Sequence, residues 1–260
     1  FSGATLEAII GDGYTGGKNI NQSLGNSDNF GTGVSLDGNR LVVGAWEGDG
    51  ANNSRNNSGE VYLYTFSDST FSGGSLAGMI GHGYTGGKNI NQTLDTGDRF
   101  GYSVSLDGNR LAIGSFNSGG YNNSKGRTGE VRIYTFTDSV FSGGTREAII
   151  GHNQTGGNNV NQSLDTGDYF GWGVALDGNR LAVSAFYGDG YNNSRSMAGD
   201  VYYYSAAPSS SDSISSAVFA TNSSSNSTIT PSTINASLSA GTNVVLQANN
   251  DITVSEAITA

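Results

Sequence analysis

The chain has 260 residues, with 41 glycines, 13 tyrosines, two prolines, no cysteine and a formal net charge of −10. That balance argues against nucleic acid and anionic membrane surfaces as partners, since both select basic proteins, and the missing cysteine excludes a disulfide framework and any thiolate metal site. Abundant Gly, Ser, Thr and Asn with few helix formers describe short strands joined by polar turns, and no run of about 18 apolar residues offers a transmembrane helix.

Read from its start, the sequence repeats itself. Phe1, Phe71 and Phe141 each open a Phe-Ser-Gly segment followed by a short apolar run, Leu6 to Ile10, Leu76 to Ile80 and Ala148 to Ile150. Phe30-Gly31, Phe100-Gly101 and Phe170-Gly171 stand 70 residues apart, and no insertion breaks the register between Phe1 and Tyr204. A fixed period of this length marks one supersecondary unit used repeatedly, each copy burying its apolar face against its neighbours. The chain opens on the first residues of a repeat with no signal peptide before them, which reads as a mature piece or a fragment of something longer.

Within the first repeat a polar turn leads to Asn19-Ile20-Asn21-Gln22-Ser23-Leu24, then to a strand in which Phe30, Val34 and Leu36 share a face by alternation. Asp37-Gly38 tolerates the positive backbone angles of a two-residue hairpin loop, so the chain is predicted to return as Leu41 to Trp46. After a loop from Glu47 to Ser58, the strand Val61 to Phe66 has Val61 and Leu63 on one face and Tyr62, Tyr64 and Phe66 on the other. Apolar groups on both faces predict a sheet covered on both sides, as when small sheets stack face to face around an axis.

Beyond Tyr204 the composition changes. Residues 206–228 form a Ser, Asn and Thr-rich linker with one apolar cluster, Ala217-Val218-Phe219. From 229 to 260 alternation resumes through Ile234, Leu238, Val244, Leu246, Ile252 and Val254, spacing that suits a short β-solenoid-like segment. The predicted organisation is all-β: three 70-residue propeller-blade-like repeats of antiparallel strands over 1–205 (1–70, 71–140 and 141–205), the linker, and the solenoid-like segment.

The repeat resembles the FG-GAP family, the blade unit of integrin-type β-propellers. The residues that carry the resemblance are Asp28, Asp98 and Asp168 before Phe-Gly, the Val34-Ser35-Leu36-Asp37-Gly38 hairpin, Gly44-Ala45, and the closing Gly59-Glu60-Val61-Tyr62-Leu63-Tyr64. Two features depart from the family pattern: Trp46, Phe116 or Phe186 stands where proline is usual, and the acidic calcium-binding hairpin of integrin blades is shortened to Asp-Gly-Asn, so integrin-like calcium binding is not carried over. Separately, Ile234 to Ile252 is similar to filamentous-haemagglutinin-type two-partner-secretion exoproteins. The two resemblances together imply a large secreted or surface-anchored bacterial adhesin. Propellers typically need four to eight blades, and three are visible. Phe1 to Gly11 has no preceding blade, so this strand is available to complete a neighbouring sheet. Further upstream repeats, blades from other chains and an open array all remain as ways to finish the structure.

Candidate chemistry is sparse. His82 and His152 share a slot with Asp12 and read as turn residues, because a catalytic base is placed once and oriented by partners. Asp37, Asp107 and Asp177 are explained by their hairpin turns rather than by a glycosidase pair. Gly11-Asp12-Gly13 precedes no helix and cradles no phosphate. Asp49 and Asp189, in Gly-Asp-Gly loops, are the candidate calcium ligands, although the second copy has Asn117-Ser118-Gly119-Gly120 there. Trp46, Tyr121 and Tyr191 are the surface-loop binding candidates, suited to stacking on sugars or protein. Asn21, Asn52, Asn91, Asn122, Asn161 and Asn192 lie in sequons, as do Asn222, Asn226 and Asn235 in the tail.

These features point to a non-catalytic extracellular adhesion or scaffold module, secreted or at a cell surface, without cofactor. Its partners would be protein or glycan at a cell surface, or further copies of itself. The alternative is a calcium-dependent, lectin-like carbohydrate-binding module using Asp49 and Asp189. A third reading makes the repeats an accessory to an enzyme domain elsewhere in a longer chain.

Overall fold

The structure is a computed structural model and describes residues 2–206. The solenoid-like segment, all of the linker beyond its first residue, the haemagglutinin-like stretch and the tail sequons lie outside these residues. Among these residues, those up to Leu176 and Leu181–Tyr203 fall in one compact unit and the hairpin tip Asp177–Arg180 falls in a second.

The described residues are all-β apart from three short 3-10 turns. A leading pair of parallel strands, β1 (Ile10–Gly11) and β2 (Ile20–Asn21), comes first. The first full sheet runs β3 (Phe30–Asp37), β4 (Arg40–Ala45), β5 (Glu60–Thr65), β6 (Ser75–Gly81) and β7 (Ile90–Asn91). The second repeats it as β8 (Phe100–Asp107), β9 (Arg110–Ser115), β10 (Glu130–Thr135), β11 (Thr145–Gly151) and β12 (Val160–Asn161). The third contains β13 (Phe170–Asp177), β14 (Arg180–Ala185) and β15 (Asp200–Ser205). Neighbours in the two five-stranded sheets are antiparallel except for the last, parallel pair.

Local chemistry explains the turns. Gly38 takes φ +55°, the left-handed value that the tight return from β3 to β4 needs. The register closes Asp37 on Arg40, and the Arg40 guanidinium donates to the Asp37 carboxylate across the turn. The expected sharing of a face by Phe30, Val34 and Leu36 holds through a bulge: they pair with Ala45, Val43 and Leu41, with the irregularity between Phe30 and Val34.

The sheets are offset from the sequence periods. β6 and β7 belong to the period that opens at Phe71, yet they complete the sheet begun by β3. The link from β5 to β6 is a short turn in which Asp68 accepts the N–H of Thr70 and Ser72 at 2.9 and 3.1 Å, so sequence neighbours become sheet neighbours. Among the described residues the leading pair β1–β2 is the counterpart of β6–β7 without the three inner strands. Among the described residues the third sheet has those three inner strands without an outer pair.

Both faces of β5 are covered. Val61 and Leu63 join Val42 and Ile80 in one cluster with Phe100, Val104, Leu106, Leu111 and Ile113 of the second sheet. Tyr62, Tyr64 and Phe66 pack on the other side with Val43, Ala45, Ile10 and Ile20. Burial of one such side chain contributes about 1.5–3 kcal/mol, so successive sheets hold together without covalent cross-links. Backbone contacts fix the spacing: Phe100 N–H donates to Ser58 O and Phe170 N–H to Thr128 O, each at 2.9 Å.

Candidate binding surface

Trp46, Phe116 and Phe186 directly follow the strands β4, β9 and β14, and these rings do not stand alone. Trp46 meets Tyr102 edge-on at 5.6 Å between centroids; Tyr102 meets Phe116 at 4.6 Å and Trp172 at 4.7 Å. Phe116 meets Trp172 at 4.9 Å, and Trp172 stacks on Phe186 at 4.7 Å with an 18° interplanar angle. Tyr187 and Tyr169 extend the set, 4.7 Å from Phe186 and 5.3 Å from each other's centroid respectively. The result is a continuous aromatic strip running across all three repeats. Most of the pairs are tilted and three are edge-to-face, and rings with a quadrupole avoid the face-to-face sandwich.

Exposure is lowest in the middle of the strip and highest at its Phe186–Tyr187 end. Phe116 is buried, Trp46, Tyr102 and Trp172 are half-buried, and Phe186 and Tyr187 are 47% and 37% exposed. One end therefore ties neighbouring repeats together and the other presents aromatic faces to solvent. Such faces pack against the C–H face of a sugar ring or against apolar and cationic side chains.

A cavity of about 330 Å³ opens beside the first repeat, lined by Gln22, Asp28, Asp49, Asn52, Glu60, Tyr62 and Tyr84 among others. Its carboxylates are engaged. Glu60 accepts the Tyr62 hydroxyl at 2.6 Å and the Tyr84 hydroxyl on its other oxygen, and burial pushes its carboxyl above the usual range. Burial, followed by the neighbouring Glu60 charge, also raises the Tyr62 and Tyr84 phenols. In the second repeat Arg132 occupies the slot of Tyr62. It is buried, donates to Glu130 at 2.8 Å, and reaches Gln92 Oε1 and Thr93 O at 3.2 and 3.1 Å.

The acidic residue before each Phe-Gly is a buried turn brace. Asp28, Asp98 and Asp168 accept the N–H of Gly25, Asp95 and Asp165 at 2.5, 2.8 and 2.7 Å. Desolvation raises all three carboxyls, that of Asp98 to about 7.

Asp49 and Asp189 occupy matching places. Each accepts a loop N–H at 2.7 Å, from Asn57 and Met197 respectively. Among the described residues no group of three or more His, Asp or Glu side chains converges as a metal cage. Tyr121 and Tyr191 open the 3-10 turns of the long loops, 51% and 87% exposed, apart from the paired rings of the strip that Trp46 joins. Asn21, Asn91 and Asn161 are exposed, and their side-chain oxygens accept the N–H of Gly13, Gly83 and Asn153, each at 2.8 Å. Asn52, Asn122 and Asn192 hold φ of 58°, 55° and 55° within the 3-10 turns, a conformation Asn tolerates better than most residues. His82 and His152 use their backbone carbonyls to accept Ala51 and Tyr121 N–H at 2.8 and 3.0 Å.

Sequence reasoning found Trp46 as a replacement for proline and a surface-loop binding candidate, and Phe116 and Phe186 only as replacements for proline. It missed Tyr102, Trp172, Tyr169 and Tyr187 as their companions. The available signal was the aromatic enrichment of the slots of Thr32 and Asn29 in the later repeats.

Comparison with known families matches the FG-GAP repeat at residues 24–64, 94–134 and 164–204. No curated protein matches the chain. Each matched stretch covers the three inner strands of one sheet and the loop that carries its share of the strip, and leaves the outer strands and the tail outside. The FG-GAP repeat model thus matches three stretches of the chain, one on the inner strands of each of the three larger sheets.

Proposed function

We propose that the three repeats form a non-catalytic adhesion or scaffold module of a secreted or surface-displayed protein, and that the aromatic strip is its binding face for protein or glycan. FG-GAP repeats are integrin-like units often used in adhesive or structural roles and found in extracellular or surface proteins. Among the described residues no helix is long and apolar enough to cross a membrane. The observation that carries the reading is the strip itself, continuous from Trp46 to Tyr187 and opening to solvent at Phe186 and Tyr187. A non-catalytic role is supported by the cavity carboxylates, which are held by tyrosine hydroxyls and loop amides rather than poised for proton transfer. Asp49 and Asp189 already hold loop amides, so this reading needs no calcium.

The test is binding of the full chain to a glycan array and to immobilised cell-surface proteins, beside a Phe186→Ala, Tyr187→Ala variant. Loss of binding in a variant with unchanged melting behaviour is the expected result. Undiminished binding would remove the strip from function and leave it as structural glue.

A further inference from the structure

The two ends of the repeat array differ chemically. Inside the chain each repeat offers its successor a trailing face with two features. Ser35 and Ser105 present hydroxyls that accept the backbone N–H of Leu106 and Leu176, each at 2.9 Å. Gly44 and Gly114 admit the successor's backbone so closely that an added Cβ would stand 1.8 Å from Gly101 O and 2.0 Å from Gly171 O. Neither glycine has positive φ, so close approach alone accounts for it.

The third repeat has Ala175 and Ser184 in those slots. Ala175 has no hydroxyl to offer. Ser184 carries the Cβ that the internal geometry excludes, and its hydroxyl accepts Gly173 N–H at 2.9 Å inside its own sheet. This trailing face is closed to another repeat of the same kind.

The leading face of the first repeat is open. Val34 and Leu36 are 57% and 53% exposed, whereas their counterparts Val104 and Leu106, covered by the preceding repeat, are 8% and 6% exposed. β1 pairs only with β2 among the described residues, while its counterparts β6 and β11 also pair with β5 and β10.

We infer that this leading face is a docking surface for the trailing face of a further FG-GAP-type repeat, one with Ser and Gly in the slots of Ser35 and Gly44. A second copy of this chain cannot be that partner, because Ala175 and Ser184 close its trailing face. The incoming strand pairs in the register already used twice. It stands opposite Gly11, Ile10 and Ile9, as Glu60, Val61 and Tyr62 stand opposite Gly81, Ile80 and Met79, and Glu130, Val131 and Arg132 opposite Gly151, Ile150 and Ile149. Its serine takes the Leu36 N–H.

The test extends the full chain at its N-terminus with an extra copy of residues 71–140, which runs into Phe1 in register. Hydrogen exchange then reads the Leu36 amide. Protection at the level of Leu106 and Leu176 is expected, and its loss when the added copy carries Ser105→Ala and Gly114→Ser. Equal protection of Leu36 in both extended chains would overturn the inference, as would none in either while the added hairpin amides are themselves protected. Should the added copy not fold, sedimentation of the unextended chain decides. A monomer with Leu36 exchanging freely at high concentration upholds the exclusion of a second copy. Head-to-tail oligomers in which Leu36 becomes protected overturn it.

Discussion

The guanidinium of Arg99 lies over the indole of Trp46, its central carbon 4.3 Å from the ring centroid, and the same guanidinium pairs with Glu47. Arg99 belongs to the second repeat, and Trp46 and Glu47 to the first, so one side chain joins two repeats by charge and by stacking. A planar guanidinium does this and a lysine ammonium does not. Arg99→Lys is expected to lower stability by about 0.5–1 kcal/mol, read from the urea midpoint. Trp46→Ala should lower it further, since ring contacts are lost as well.

Gly44→Ala tests the closeness of the repeats directly. Its Cβ would meet Gly101 O at 1.8 Å, so backbone must retreat and part of the interface opens. The expected loss is about 1–3 kcal/mol or more, the range for overpacking. Gly3, around which nothing lies within 4 Å of an added Cβ, has positive φ and would report only backbone strain on the same substitution. Comparison of the two midpoints separates crowding from conformation.

The buried pair Arg132–Glu130 sets a different expectation. Removal of the cation by Arg132→Ala leaves Glu130 buried and uncompensated, a loss of about 3–5 kcal/mol. Replacement of both partners, Arg132→Met with Glu130→Gln, should recover much of that loss. Thermal melts of the single and double variants check it, and a double variant no better than Arg132→Ala would contradict the account.

Asp98 makes stability depend on pH. Burial raises its carboxyl from an ordinary 3.8 to about 7 in the folded protein, so the folded state favours the protonated form. That contribution is fully present below about pH 4 and is lost as pH climbs through 7. Burial moves Asp28, Glu60 and Asp168 in the same direction. Exposed Asp68, held to about 2 chiefly by the Ser72 amide, acts in the opposite sense, at pH below its unfolded value. The melting temperature should therefore fall between about pH 4 and pH 7, and Asp98→Asn should flatten the fall.

Much of this fold is legible in the sequence, for identifiable reasons. Asp37-Gly38 marks a hairpin because only a residue content with φ +55° completes it. Val61 to Phe66 announces a doubly covered strand because both of its faces are apolar, and Val61, Tyr62, Leu63 and Tyr64 are all buried. The phase of the sheets is harder to read, because a period of 70 residues is the same wherever it is cut and only pairing decides which strands belong together. The aromatic strip is hidden for another reason. Its rings occupy several slots of different repeats: Thr32 becomes Tyr102 and Trp172, and Asn29 becomes Arg99 and Tyr169. Of the strip's slots only that of Trp46, Phe116 and Phe186 is aromatic in every repeat, and the stacked sheets bring the other rings into line with it. The role of Ser184 is hidden likewise, since a glycine needed for close approach looks like any other glycine until its neighbour is placed.

The sharing of each sheet between two successive periods has a mechanical consequence. β6 and β11 are carried forward by the chain but held by the sheet behind, so adjacent modules are clasped as well as packed. A tether pulled from its ends cannot shed one module by parting a greasy surface; it must tear a row of backbone hydrogen bonds out of the neighbour first.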